Sequence, residues 1–116
     1  MKICPSIASS LNLLDLRNEI EFVDKKYKNI HIDVEDGNYV PNITFGTKMM
    51  ELICKESSSE KSVHLMVTNP EGYIDSLVKC KPQIVFLHLD NVRYPTEIIR
   101  KFQVQGIDVG IAINPS

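Results

Sequence analysis

Between His31 and Asp36 the chain reads HIDVED, an imidazole and three carboxylates within six residues, and two further histidines follow in SVHLMV (His64) and IVFLHL (His88). Side chains alternate along a strand. If this segment is extended, His31, Asp33 and Glu35 share one face and Ile30, Ile32 and Val34 the other. By the same parity His64 and Met66 share a face. Two imidazole nitrogens with one or two carboxylate oxygens suit zinc, iron, manganese or cobalt, and poorly suit calcium or magnesium. One divalent cation would also offset the cost of a carboxylate on a buried face, several kcal/mol when it is unpaired. A second account makes His31 and His64 core imidazoles hydrogen-bonded to nearby carboxylates, with Asp36-Gly37 a turn pair. It explains Asp36 and Gly37 and leaves Asp33, inside the strand, without a reason.

Short apolar runs alternate with longer amphipathic ones along the whole chain. Strands are expected at 2–7 (KICPSI), 29–34 (NIHIDV), 62–67 (SVHLMV), 84–89 (IVFLHL) and 108–114 (DVGIAIN). Helices are expected at 13–26, where Leu13, Leu14, Ile20 and Val23 form an apolar stripe, at 47–56, over YIDSLVKC, and at 95–105. Asn69-Pro70 supplies a cap and a first-turn proline, Lys81-Pro82 a stop, and Gly106 another stop. Strand starts recur at the length of one strand, a crossover helix and two loops, so the sheet should be parallel with right-handed crossovers.

Two α/β architectures share this rhythm, the open doubly wound sheet and the eight-stranded (β/α)8 TIM barrel. The first expected strand runs into SIASSLN, without the glycine-rich turn typical of nucleotide-binding doubly wound folds. Polar residues sit instead near the carboxyl ends of all five expected strands: Ser6, His31 with Asp33, His64, His88 and Asn114. A common rim favours the barrel. The chain should then hold the first five strands and four crossover helices, an N-terminal portion over residues 1–116 that is three units short of closure.

Composition narrows the partners. The 116 residues are 43% hydrophobic and 24% charged, which suits one small globular domain. The net charge of −2, without a concentrated basic surface, argues against nucleic acid. No apolar run approaches the ~20 residues that span a bilayer, and MKICPSIASS lacks a signal-peptide core, so the chain is read as cytoplasmic with no membrane partner. Cys4, Cys54 and Cys80 are odd in number and form no CxxC pair, which argues against a disulfide framework or a zinc knuckle and reads as buried filler.

CPSI (4–7), HIDVEDGNYVPNITFG (31–46), VHLMVTNPEGYI (63–74), FLHLDN (86–91) and GIAINP (110–115) together resemble the N-terminal half of the ribulose-phosphate 3-epimerase family, including its relative acting on allulose 6-phosphate. The resemblance covers essentially the whole chain, and HxDxxDGxxVPNxTxG followed by HLMV is highly specific. It implies a metal-dependent epimerase of phosphorylated ketoses on a TIM barrel. His31, Asp33 and His64 would bind the divalent metal, and Asp33 would also act as one of two acid/base groups. Ser6, His64 and Met66 would lie against substrate. Epimerisation at C3 removes the proton beside the C2 carbonyl and returns one to the opposite face through an enediolate, which calls for two bases and for stabilisation of developing charge.

Two departures stand out. The family usually has methionine where this chain has Glu35, whose side chain either points inward or, if the strand ends earlier, turns to solvent. The second catalytic aspartate and the phosphate-binding loops belong to later strands of the family and are not among these residues. Activity of this stretch alone is therefore doubtful. A non-catalytic remnant acting as a binding or structural module, as a homo-oligomer or with a complementing C-terminal half, is the alternative. His88 matches a family histidine and reads as a supporting rather than a ligating residue, Asn114 as a residue of the mouth, and Arg93 and Lys48 as solvated charges rather than phosphate ligands.

Overall fold

A computed structural model of the chain describes residues 1–115. Four parallel strands form one sheet in sequential order: β1 (Asn29–Glu35), β2 (Glu60–Met66), β3 (Ile84–Leu87) and β4 (Asp108–Ile111). The helices are α1 (Leu16–Lys26), α2 (Thr47–Glu56), α3 (Ile74–Cys80) and α4 (Pro95–Gln103), with short 3-10 turns leading into α1 and α3.

Sequential order distinguishes the two candidate architectures. A doubly wound sheet reverses its strand order at a switch point and carries helices on both faces. Here each crossover adds the next strand on the same side, so right-handed connections lay every helix on one face. The burial pattern agrees. Ile30, Ile32, Val34, Val63, Leu65, Val85 and Leu87 are fully buried under Ile20, Val23, Met50, Ile53, Leu77, Ile98 and Phe102 of the helices. The opposite face, with His31, Asp33, Ser62, His64, Met66 and Phe86, is only half-buried. A parallel sheet covered on one side with its polar face turned inward is a partial TIM barrel.

The expected first strand at 2–7 is not formed as a strand, so the sheet has four strands rather than five. Its remnant is a single parallel bridge between Ser6 and His31, with the His31 N–H donating to the Pro5 carbonyl at 2.9 Å. Pro5 has no N–H to continue a ladder, and residues 1–4 are exposed beside a single neighbour. The four helices lie where periodicity places them, with the leading turns of the first and third drawn into 3-10 geometry. β2 starts at Glu60, inside the polar run expected to be loop, because Glu60 N–H finds the Lys28 carbonyl at 3.1 Å. α3 ends as anticipated at Lys81, which takes a left-handed conformation (φ +50°) before Pro82, whereas α4 ends at Gln103, short of the expected stop at Gly106 (φ +76°).

Asp24 ties the end of α1 to the loop before β2. Its carboxylate accepts hydrogen bonds from Ser57 Oγ (2.6 Å), Ser59 Oγ (2.5 Å) and the Ser58 N–H (3.0 Å). Burial raises the pKa of this carboxyl, but the serine hydroxyls and backbone N–H groups outweigh it and hold the group below its ordinary value. Because the folded pKa lies below the unfolded one, the stabilisation is present above the unfolded pKa and lost as pH falls through the folded value. Asp24→Ala should lower the unfolding free energy by about 1–2 kcal/mol at neutral pH. In urea titrations the gap between variant and parent should close as the pH is taken well below 4; a gap independent of pH would contradict the assignment.

Candidate metal centre on the inward face

The complete burial of Ile30, Ile32 and Val34 fixes the facing of β1. Shifting the strand by one residue would bury His31 and Asp33 under the helices and expose three branched side chains. The inward residues of β1 are therefore His31, Asp33 and Glu35, and register does the rest: Asp33 lies opposite His64, and Glu35 opposite Met66.

His31, Asp33 and His64 each offer an atom within 4.8 Å of the others. Asp33 Oδ1 lies 3.1 Å from His31 Nε2 and 3.5 Å from His64 Nδ1. Tetrahedral ligands at metal bonds of ~2.0–2.2 Å stand about 3.3–3.6 Å apart, so the 3.5 Å separation falls in that span and the 3.1 Å one, at hydrogen-bond length, lies just short of it. Ser6 Oγ donates to the other oxygen, Oδ2. Burial raises the Asp33 pKa, yet hydrogen bonds from His31, His64 and Ser6 and the charge of His31 reverse this and hold the carboxyl far below the usual carboxylate range. Asp33 is accordingly an anion at neutral pH, on a surface otherwise half-removed from water.

The remaining nitrogens of both histidines are also held. His31 Nδ1 pairs with Ser62 Oγ at 2.6 Å, and His64 Nε2 with His88 Nε2 at 2.8 Å. For His31 Nε2 and His64 Nδ1 to present lone pairs to a cation, each ring must carry its proton on the other nitrogen. His31 then donates to Ser62, and His64 donates to His88. His88 must accept, which puts its own proton on Nδ1, the one buried side-chain polar atom without a partner among the described residues. Burial first, and then the charge of His64, push the His88 pKa down, favouring the neutral ring that this arrangement needs. The donor set and its spacing fit a divalent cation, which would take the place of the protons that His31 Nε2 and His64 Nδ1 otherwise offer to Asp33.

Thr44 and Asp36 organise the mouth above the cluster. Thr44 Oγ1 donates to the Asp33 carbonyl at 2.5 Å and accepts from the Glu35 N–H at 3.0 Å, folding the 36–46 loop back along β1. Asp36 accepts from the N–H groups of Asn38 (2.9 Å), Tyr39 (2.8 Å) and Thr68 (2.8 Å), joining that loop to the one after β2. Gly37 is required here. Its φ is +73°, and a Cβ would stand 2.7 Å from the Ile43 side chain. Tyr39 lies 5.0 Å from the His88 ring and donates its hydroxyl to Asp90 at 2.9 Å, while Asn114 donates to the Tyr39 oxygen at 2.7 Å.

Of the residues singled out from sequence, Ser6, His31, Asp33 and His64 converge on one point. Met66 is half-buried on the same face, one register pair further along β2. β1 runs through Glu35, and the Glu35 side chain makes no hydrogen bond or ion pair among the described residues. Asn114 reaches the mouth network rather than the cluster. Arg93 stacks on Tyr94 and Lys48 is exposed on α2, as solvated charges do. Sequence reasoning missed Ser62, although its parity with His64 already placed it inward. Tyr39 and Asp90 lie in loops, where alternation gives no signal.

Residues 2–116 match the family described as the ribulose-phosphate 3 epimerase family. The chain belongs to that family. It is similar to the ribulose-phosphate 3-epimerase of Helicobacter pylori, at 36% identity over 115 residues, 99% of this chain and 52% of the relative. The Bacillus subtilis enzyme is 35% identical over 116 residues, 99% of this chain and 53% of the relative, and that of Rhodobacter capsulatus 30% over 116 residues, 99% and 50%. The chain thus spans about half the length of these epimerase relatives. No helix among the described residues is long and apolar enough to cross a membrane.

The His64–His88 contact places His88 behind His64, on the side away from Asp33, where it could orient a cation's ligand rather than be one. His88→Leu should weaken zinc binding by about 10–100-fold in a calorimetric titration. An unchanged affinity would show that His64 is oriented without it.

Proposed function

We propose that the chain is the N-terminal part of a metal-dependent 3-epimerase that interconverts D-ribulose 5-phosphate and D-xylulose 5-phosphate, removing and returning the C3 proton through an enediolate. The observation that carries this reading is the convergence of His31, Asp33 and His64 on the inward face of two adjacent strands, in a chain of this family. The residues match one divalent cation of the zinc, iron, manganese or cobalt type.

Asp33 is the acid/base group in this reading. Ser6 fixes the direction of its carboxylate, which His31 helps to keep ionised when no cation is bound. The same hydrogen bonds reduce its proton affinity, so the C3–H must be acidified before Asp33 can take the proton. A divalent cation on His31, Asp33 and His64 would supply that Lewis acidity and neutralise charge on the sugar oxygens. Ser6, His64 and Met66 line the substrate side. Met66 adds bulk with no exchangeable proton, which keeps water from competing at the reacting carbon. Inversion needs a second base on the opposite face and a cradle for the phosphate, contributed in this reading by the remainder of a complete barrel. That remainder would cover the half-exposed inward face and the β4 edge, where Ile111 and Ile113 are exposed.

Glu35 favours a second reading, a binding module without turnover. It adds a carboxylate to the cluster's own face where the family usually has methionine. Glu35→Met should leave a working epimerase unchanged or faster, and should weaken ligand binding if the carboxylate belongs to a different site.

Two measurements test the main reading. Zinc or manganese titrated into the chain should bind at one site, and His64→Ala should weaken it by more than the ~10–100-fold lost with a supporting group; identical heats would remove the site. With the barrel completed, C3 hydrogen exchange from D2O into ribulose 5-phosphate, followed by NMR, should fall by about 10²–10⁴-fold in Asp33→Asn. Exchange at the parent rate would rule Asp33 out as the base.

A further inference from the structure

α2 and α3 pack side by side in the outer helical layer, and their seam brings together Cys54 and Cys80, residues far apart in sequence. Both are half-buried and line one pocket of about 460 Å³ with Lys48, Glu51, Lys55 and Lys79. That pocket shares no residue with the His31–Asp33–His64 cluster. The two thiols border that pocket from the two packed helices, and each is the leading influence on the other's proton affinity. Cys4, the third cysteine, is exposed and pairs with Ser62 on the other side of the sheet.

We propose that Cys54 and Cys80 form a reversible intramolecular disulfide when the protein meets hydrogen peroxide, a redox modification site that bridges α2 to α3. The two thiols open onto one space across the packed seam, and that pocket admits a small oxidant. The neighbouring Cys54 thiol holds the Cys80 pKa below its ordinary value, and the Cys80 thiol, with burial, pushes that of Cys54 up. Cys80 is therefore the attacking sulfur. Its thiolate takes one peroxide oxygen as the O–O bond breaks, and the departing hydroxide leaves as water with the Cys80 proton, giving a sulfenic acid. The Cys54 sulfur then attacks the Cys80 sulfur. The S–O bond breaks, and the hydroxyl departs as a second water with the Cys54 proton. Two thiols and one peroxide become one disulfide and two waters. A dithiol reductant reverses the bond by exchange.

The test uses the native chain and its Cys4→Ser variant, treated with peroxide, alkylated under denaturing conditions and digested. Free thiols should fall from three to one in the parent and from two to none in Cys4→Ser. Mass spectrometry should find a Cys54–Cys80 peptide pair lighter by two hydrogens, and dithiothreitol should restore the thiols. In Cys54→Ser, dimedone should label Cys80; in Cys80→Ser, Cys54 should remain unlabelled. Persistence of both thiols in native Cys4→Ser after peroxide, or oxidation confined to disulfides between chains, would overturn the proposal.

Discussion

The arrangement rests on the alternation of β1. Burying Ile30, Ile32 and Val34 completely is worth about 5–9 kcal/mol if each side chain contributes ~1.5–3 kcal/mol. A slip of one residue forfeits that burial and also drives an imidazole and a carboxylate beneath the helices. No local preference of His31 or Asp33 could outweigh such a penalty. The polar cluster is thus placed by the hydrophobic residues between its members. The same alternation in β2 aims His64 at the same point, because the parallel register sets Asp33 beside it.

What alternation cannot do is orient a ring. The two histidines could serve as a coordinating pair because their outer nitrogens are engaged, one by Ser62 and one by His88. The unpartnered Nδ1 of His88 fits such a chain of donors, since a ring that accepts from His64 through Nε2 carries its own proton on Nδ1. A buried polar atom without a partner costs about 1–3 kcal/mol. The fold tolerates that cost at the place where the direction of His64 depends on it, which is where a functional constraint is expected to override local satisfaction.

The legibility of the sequence follows the range of the forces involved. Strand facing and helix position depend on neighbours a few residues away, so the inward His31, Asp33 and His64 and all four helices could be read from spacing. The first strand could not. KICPSI has strand-like composition, but pairing is a property of two chains, and Pro5 with a single neighbour reduces it to one bridge. Tyr39, Asp90 and Asn114 meet only because three different loops converge. Cys54 and Cys80 likewise become neighbours through helix packing, so counting cysteines along the chain described them as filler. Glu35 was open between two directions in the sequence, and the continuation of β1 through it decides that it belongs to the inward face.

The surface area carries the argument one step further. A compact protein of 13.2 kDa should expose about 6,400 Å², whereas this chain exposes 7400 Å². Its radius of gyration of 13.8 Å is close to the ~13.4 Å expected for its length, so extension does not account for the excess. The difference, about 1,000 Å², is of the order of one partner's share of a stable interface. It has a natural location in the half-buried inward face and the open β4 edge, both polar or small where they approach the cluster: Ser62, His64 and Gly110 with Phe86 leaning over it. Helices cover one side of this sheet so thoroughly that further burial can come only from the inward side. The His31–Asp33–His64 cluster would therefore gain dry surroundings from whatever covers that side, so the environment of the cluster and the covering of the inward face are one physical problem.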